Sequence, residues 1–324
     1  MTVLILGGCG FIGRNLTEFL SSKGFHVTVI CKKIHDTVNG RIEYVEADIT
    51  KRETLSSVFK NDIEVVIDLA GTIGGVQGSN FLFADPGSFI NLNVHSTAIL
   101  LEYAKKFGSR IIYASSEEVY GKNQDLPWKE NSLKIFGDVK NPRQTFGLCK
   151  LLSENLLLST AKSNNINSVI LRLSNIYGKF QKPYLVIPRM ITSSILEGNV
   201  KVYGNGAQKR SFLYIEDAVE AIYKLIINEN IKNDIFNVGS SEEVTVEDLA
   251  REITSIAGLS DSNIEHLNIT GDVMDSFEDI QRKVMDCSKI YEKTGWKPKT
   301  SLSNGLKSTF YWYESNKEWW QNYL

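Results

Sequence analysis

The chain has 324 residues, 42% of them hydrophobic and 23% charged, ordinary values for a globular protein with room for one large and one small domain. A net charge of −2, with basic residues gathered only in pairs such as Lys32-Lys33 and Lys209-Arg210, argues against a nucleic-acid partner. No apolar run approaches the ~20 residues of a membrane span, and a strand starting at Val3 leaves no room for a signal peptide. The four cysteines (Cys9, Cys31, Cys149, Cys287) lack metal-ligand spacing and the four histidines do not cluster. Free thiols, no metal and a cytoplasmic location are therefore expected.

Along the chain, short β-rich runs at 3–6, 26–30, 42–46, 65–69, 111–114 and 169–173 alternate with helical patterns at 13–23, 52–60, 89–107 and 143–162. Gly24 and Gly108 stand where helix C-terminal glycines belong. Such alternation predicts right-handed crossovers and an α/β fold with a doubly wound parallel sheet, a Rossmann domain over residues 1–171. After Asn175 the pattern breaks at Pro183, Pro188 and several glycines. Residues 201–215 read as a short strand followed by a loop, and helical patterns follow at 217–227 and 246–257. Residues 172–324 are thus expected to form mainly a smaller α/β substrate lobe, with the chain crossing back once to the Rossmann domain. The aromatic tail Phe310-Tyr311-Trp312-Tyr313 with Trp319-Trp320 is interleaved with Lys and Glu. A terminal helix packed on the body explains it better than a base-stacking or carbohydrate platform.

Gly7-Gly8-Cys9-Gly10-Phe11-Ile12-Gly13 follows directly on the first strand and opens a helix. Gly7 permits the tight turn, Gly10 a close backbone approach to a pyrophosphate, and Gly13 close helix–strand packing. The helix N-terminus, at Phe11 and Ile12, supplies amide donors for the phosphates. This predicts a bound dinucleotide. Where an acidic residue would bind the adenosine ribose, the second strand instead ends in Cys31-Lys32-Lys33. Lys32 and Lys33 favour NADP over NAD, since an ammonium can pair with a 2′-phosphate, although two solvated lysines on a loop is the plainer alternative. Asp48-Ile49 is placed to meet the adenine edge.

Farther on, Ser115-Ser116-Glu117-Glu118-Val119-Tyr120-Gly121 ends the fifth run and Phe146-x-x-x-Lys150 lies in the following helix. Together with Gly7-x-x-Gly10-x-x-Gly13 and Asp48, these segments resemble the extended short-chain dehydrogenase/reductase family. The likeness is greatest to its nucleotide-sugar epimerases, dehydratases and reductases. Arg172-x-x-Asn175-x-Tyr177-Gly178, Gly204-x-Gly206-x-x-x-Arg210-Ser211-Phe212-x-Tyr214-Ile215-x-Asp217, Arg282-x-x-x-Asp286 and Gly295-Trp296-x-Pro298 continue it in order over nearly the full length.

The resemblance implies that Ser116 bonds the sugar hydroxyl being oxidised. Lys150 would hold the nicotinamide ribose and depress the pKa of the acid/base four residues before it. Asn175, Arg210 and Arg282 would grip the diphosphate of a nucleoside diphosphate sugar, where planar guanidinium matches paired phosphate oxygens. Hydride transfer at sugar C4 follows, and a homodimer joined through the helices over 89–107 and 143–162 is expected.

Two features set this chain apart. The acid/base position, a tyrosine in the family, is Phe146: the ring is kept and the proton-carrying hydroxyl is gone, at a cost of ~10²–10⁴ in rate for a general base. A substitution that traps substrate, a variant in which Ser116, Glu117 or Glu118 takes the proton, and a protein that only binds are the alternatives. Glu117-Glu118 resembles the acidic pair of sugar 4,6-dehydratases, and Glu118 also matches a glutamate of glucuronate decarboxylases. A carboxylate that merely orients Tyr120 is the plainer alternative. The glycine-rich segment over 71–80, with Gly75 assigned to the substrate, looks more like that of GDP-sugar 3,5-epimerases and 4-keto reductases. An NADPH-dependent 4-keto-sugar reductase is therefore the rival enzyme, and a non-catalytic dinucleotide or sugar-nucleotide binder the rival of another class.

Overall fold

Seven parallel strands make the central sheet in this computed structural model, which describes the whole chain except residues 35–36, 38–40, 60–61, 72–83, 139–142, 165, 268–279 and 324. In chain order the strands are β1 (Thr2–Leu6), β2 (His26–Cys31), β3 (Ile42–Glu46), β4 (Val65–Asp68), β5 (Arg110–Ser116), β6 (Ser168–Leu173), β7 (Asn175–Tyr177), β8 (Val200–Tyr203), β9 (Lys209–Tyr214), β10 (Asp234–Val238), β11 (Glu243–Thr245) and β12 (Ile264–Leu267). The sheet order is β10-β6-β5-β4-β1-β2-β3. β4 and β6 are buried along their full length, as expected of parallel strands covered on both faces, which carry near-continuous apolar runs. The order reverses beside β1, and the carboxyl ends of β1, β4 and β5 open on one edge, where open α/β sheets bind ligands.

The helices are α1 (Phe11–Ser22), α2 (Arg52–Val58), α3 (Pro86–Ile90), α4 (Ser96–Phe107), α5 (Arg143–Asn164), α6 (Val186–Glu197), α7 (Ile215–Ile227), α8 (Val246–Ile256), α9 (Ser288–Thr294), α10 (Leu302–Ser315) and α11 (Lys317–Gln321). A π turn over Asn91–His95 joins α3 to α4. One apolar core lies on the face covered by α1 and α7, through Leu16, Leu20, Ile222 and Ile226. The second lies on the opposite face beneath α2, α4 and α5, through Leu55, Leu100 and Leu157. Gly108 ends α4 in the left-handed conformation, with φ of +73°.

β10 pairs in parallel with β6, Asp234 opposite Val169, so a strand from late in the chain closes one side of the sheet. The loop expected after the strand in residues 201–215 is a second strand, β9. Gly204 and Gly206, with φ of +74° and +66°, turn the chain out of β8, and β9 then pairs with β7 and β11. Pairing with these distant partners overrides the weak local pattern of Lys209 and Arg210. Phe310, Tyr313 and Trp320 are buried, so the aromatic tail is a pair of helices packed on the body. None of the helices described is long and apolar enough to cross a membrane.

Candidate active site

A cleft of about 600 Å³ runs along the carboxyl edge of β1 and β2. Gly7, Gly10, Phe11, Ile12 and Gly13 line one side, and Lys32, Asp48 and Ile49 the far end. All the residues assigned to the dinucleotide from sequence, apart from Lys150, therefore face this one space. The glycines are required by geometry. Gly7 has φ of +77°, and a Cβ on Gly13 would stand 2.4 Å from the Gly7 carbonyl oxygen and 2.6 Å from Gly8 Cα. Gly10 N–H donates to Gly7 O at 3.0 Å and α1 begins at the next residue with no acidic side chain in its first turn. Its amide end thus faces the cleft without a competing negative charge, and the cradle fits a pyrophosphate.

At the far end Asp48 Oδ1 accepts from the Thr50 amide at 3.0 Å and the Thr50 hydroxyl at 2.7 Å. Burial opposes its charge, but these bonds and nearby Lys32 outweigh that and hold the carboxyl below its ordinary value. Lys32 Nζ lies 3.9 Å from Asp48 Oδ2. The opposite wall carries Phe180, Trp319 and Tyr323. The tail assigned only to packing thus also borders the nucleotide cleft, and no sequence spacing reports that contact.

One expectation is overturned beside this loop. Cys9 and Cys31 are not free thiols: they are joined as a disulfide, with Cα atoms 5.8 Å apart. β1 and β2 are paired with Leu6 opposite Ile30, so the loop after one strand and the end of the next meet within disulfide reach. A separation of 22 residues hides that neighbourhood. Cys149 and Cys287 are free.

The candidate chemical residues do not line that cleft; they are built on β5 and α5. β5 ends at Ser116, whose Oγ accepts the Glu118 amide at 3.2 Å and caps the short 3-10 turn Glu117–Tyr120. α5 passes so close to this turn that a Cβ on Gly147 would lie 2.3 Å from the Glu118 carbonyl oxygen. That contact sets the helix carrying Phe146 and Lys150, one helical turn apart on the same face, against the backbone of the turn. Lys150 is buried. Its Nζ donates to Ala114 O at 2.9 Å and stands 5.9 Å from the Phe146 ring centroid and 4.7 Å from that of Tyr113.

Beneath Lys150 lie two groups that motif reading passed over. Burial pushes the Asp68 carboxyl up to about 6, against the pull of Lys150 and the Ala70 amide. Burial likewise raises Tyr113, against the pull of Lys150 and with the Asp68 charge adding to the rise. An acid closing the apolar run Val65-Val66-Ile67-Asp68 was the available signal. Behind the site, Glu154 receives Ser115 Oγ at 2.5 Å and Arg172 Nη2 at 2.7 Å, and Arg172 also donates to the Tyr120 hydroxyl at 3.0 Å. This buried, mutually satisfied network fixes the ends of β5 and β6.

Glu117 is buried, with Oε1 accepting from Asn175 Nδ2 at 3.0 Å. Its Oε2 has no partner among the described residues. Burial pushes this carboxyl up to about 7; Lys283 and Arg210 pull it down, Glu118 pushes it up and the Asn175 bond lowers it. Lys283, buried and absent from the motif reading, donates from Nζ to Glu118 Oε1. Arg210 Nη1 donates to Lys209 O at 2.8 Å. Arg282, expected on the diphosphate, makes a two-pronged pair with Glu243, Nε to Oε2 and Nη2 to Oε1, both at 2.7 Å. Gly75 lies outside the described residues. Ser116, Glu117, Glu118, Phe146, Lys150 and Asn175 are thus brought into one region, with Arg210 close enough to act on Glu117.

A helix-capped glycine cradle, a β5 serine, and a lysine one turn after an aromatic ring define a Rossmann-type site of the extended short-chain dehydrogenase/reductase kind. Residues 3–239 match the NAD dependent epimerase/dehydratase family, and the chain belongs to it. It is 32% identical to the UDP-N-acetyl-alpha-D-glucosaminuronate decarboxylase of Bacillus cytotoxicus, over 96% of this chain and 97% of that protein. Among solved structures it is similar to dTDP-glucose 4,6-dehydratase from Bacillus anthracis in complex with NAD, with a TM-score of 0.83, 26% identity and all of both chains covered. It is also similar to a tyrosine-to-phenylalanine mutant of UDP-glucuronic acid 4-epimerase from Bacillus cereus. That enzyme was solved with NAD and UDP-4-deoxy-4-fluoro-glucuronic acid; the TM-score is 0.84 and the identity 27%, covering 97% of this chain and 99% of that one.

Proposed function

We propose that this chain is a nucleotide-sugar enzyme of the 4,6-dehydratase type, whose turnover Phe146 suppresses while binding survives. The observation that carries the reading is the pair Glu117 and Glu118 on the turn after β5, one carboxyl raised to about 7 and the other ion-paired to Lys283. Carboxyls in opposed environments are the arrangement for one acid and one base. A bare hydride exchange at C4 needs neither.

The relatives supply the substrate class, a UDP- or dTDP-sugar, and the cofactor, NAD. The Gly7–Gly13 cradle would hold the dinucleotide, which when bound would supply a reversible hydride acceptor for sugar C4. Lys150 would hold the nicotinamide ribose and Ser116 the C4 hydroxyl. With a C4 ketone in place, one carboxylate takes the proton from C5 while the other carboxyl gives a proton to the C6 hydroxyl, which leaves as water. Lys32 and Lys33 would favour NADP at the adenosine end, but the pairing of Lys32 with Asp48 leads us to expect NAD, and titration with both nucleotides decides it. A homodimer through α4 and α5 is part of the proposal, because Leu148 and Leu152 on α5 are 44% and 49% exposed. A monomer in sedimentation equilibrium would remove that part.

The test is to incubate the chain and its Phe146→Tyr variant with NAD and a panel of UDP-, dTDP-, GDP- and CDP-sugars, reading mass, water loss and reduced nicotinamide. We expect one of the first two classes to bind both proteins and to lose water only with Phe146→Tyr. Stoichiometric loss of reduced cofactor would point to the 4-keto reductase instead, and silence across the panel in binding as well would favour the non-catalytic binder.

A further inference from the structure

Lys283 has no role in the scheme above, yet it is 3% exposed and its ammonium reaches the Glu118 carboxylate. A lysine almost never lies so deep without a paired charge. Its backbone is pinned on both sides. Lys283 N–H donates to Lys209 O at 3.3 Å, while the next residue's carbonyl, Val284 O, accepts from Trp128 N–H at 3.0 Å. The ammonium is therefore carried to the turn after β5 on a fixed strand-like segment. There it bonds Glu118, whose side chain is 20% exposed, and not Glu117, which is 3% exposed and holds Asn175.

We infer that Lys283 is a positioning residue that divides the two carboxyls, keeping Glu118 as the carboxylate that takes the carbon-bound proton and leaving Glu117 as the acid that gives one up. This rests on the elimination reading of the site and adds to it the group that decides which carboxyl does which job. The physics is local. Lys283 and Glu118 in contact form a neutral pair, so their fields at Glu117 oppose one another and burial decides its protonation. The charged and titratable groups acting on Glu117 are Glu118 on its own turn, Lys283 from the segment before α9, and Arg210 from β9; Cys287 is the further titratable group within its field. Asn175, from β7, bonds only one of its oxygens. The other, Oε2, is buried and without a partner among the described residues, as suits a carboxyl whose O–H awaits a leaving oxygen.

The proton count closes. Glu118 receives the proton from C5, the C–H electrons form the C5–C6 double bond, and the C6–O bond breaks. The departing hydroxyl takes the Glu117 proton and leaves as water. Glu118 then holds the proton needed at C5 when the hydride returns, and Glu117 is recharged from solvent.

The inference is tested first without turnover, on the full-length chain carrying 13C at the glutamate side-chain carboxyls, with Glu117→Gln and Glu118→Gln used for assignment. In the parent chain only Glu117 of the pair should titrate near neutrality. In Lys283→Met both should titrate as one coupled pair, and Lys283→Arg should restore the division. Unchanged curves for both glutamates in folded Lys283→Met would overturn the inference. Removing one member of a buried pair is strongly destabilising, so Lys283→Met/Glu118→Gln, which removes both charges, serves if the single variant does not fold. In it Glu117 should still titrate near neutrality, and a fall to the ordinary carboxylate range would overturn the inference.

A second arm uses Phe146→Tyr as the parent. Adding Lys283→Met should lower water loss about 10²-fold, the scale of a lost acid or base, while C4 oxidation, read as reduced nicotinamide, changes less than about threefold. Equal loss of both steps would show a merely structural role. If the carboxyl titrations behave as expected but no sugar nucleotide ever loses water, the elimination reading fails and the electrostatic division stands.

Discussion

The Gly7–Gly13 loop offers a dinucleotide mainly backbone amides, whereas the proposed sugar site around the turn after β5 offers side chains. The loop carries its chemistry in adjacent residues, Gly7 to Gly13, and neutral backbone needs no partner to remain poised. The sugar end gathers Glu117 and Glu118 from the turn after β5, Lys150 from α5, Asn175 from β7, Arg210 from β9 and Lys283 from the segment before α9. Each charge there is shaped by the others and by burial. The contrast teaches that one end is robust to its surroundings and the other is tuned by them, and experiments can pull the two apart.

The largest expected effect is at the tuned end. Phe146→Tyr should raise turnover by ~10²–10⁴, the usual contribution of a general base, with little change in cofactor affinity. A gain below about tenfold would mean that another group already carries the proton.

Next comes pH. Glu117 is raised from 4.5 to about 7 in the fold, so the folded state holds a proton that the unfolded chain gives up earlier. Its contribution is fully present below 4.5 and is lost as pH rises through about 7, on the order of 3 kcal/mol by linkage. Asp68, raised from 3.8 to about 6, acts in the same direction over a lower window. Urea unfolding at several pH values should show stability falling between about pH 5 and about pH 8, and Glu117→Gln should flatten the upper part of that slope. A parent whose stability rises over this range would contradict the burial argument.

Gly13→Ala probes the backbone end. The new Cβ would meet the Gly7 carbonyl and Gly8, so the loop must shift, at a cost of about 1–3 kcal/mol as for overpacking elsewhere. NAD affinity should fall at least about tenfold while the carboxyl titrations at the sugar end stay put, since every 1.4 kcal/mol is tenfold. If those titrations moved as well, the two ends would not be independent.

The smallest effect is expected from Lys32→Ala, because exposed ion pairs are worth about 0–1 kcal/mol. NAD binding should change less than about fivefold. A larger loss confined to NADP would show that the ammonium does read a 2′-phosphate.

Much of the fold was legible because local rules and tertiary needs coincide in a doubly wound sheet. The apolar runs that became β4 and β6 are buried along their full length, and the glycine cradle is contiguous, so its geometry can be read from seven adjacent residues. The β9 strand was misjudged because Lys209 and Arg210 weaken its local pattern, and only pairing with β7 and β11 makes it a strand. The disulfide was missed for a related reason: strand register, not sequence distance, sets Cys9 against Cys31.

The sequence by itself determined the family, the dinucleotide loop, the acidic pair and the missing hydroxyl at Phe146, because each is written in neighbouring residues. Only the tertiary structure decided what charge those residues feel. It put Lys283 on Glu118, Asn175 on Glu117, Asp68 beneath Lys150 and Arg282 on Glu243. Burial and the closest opposite charge set a protonation state, and both are properties of the packed chain.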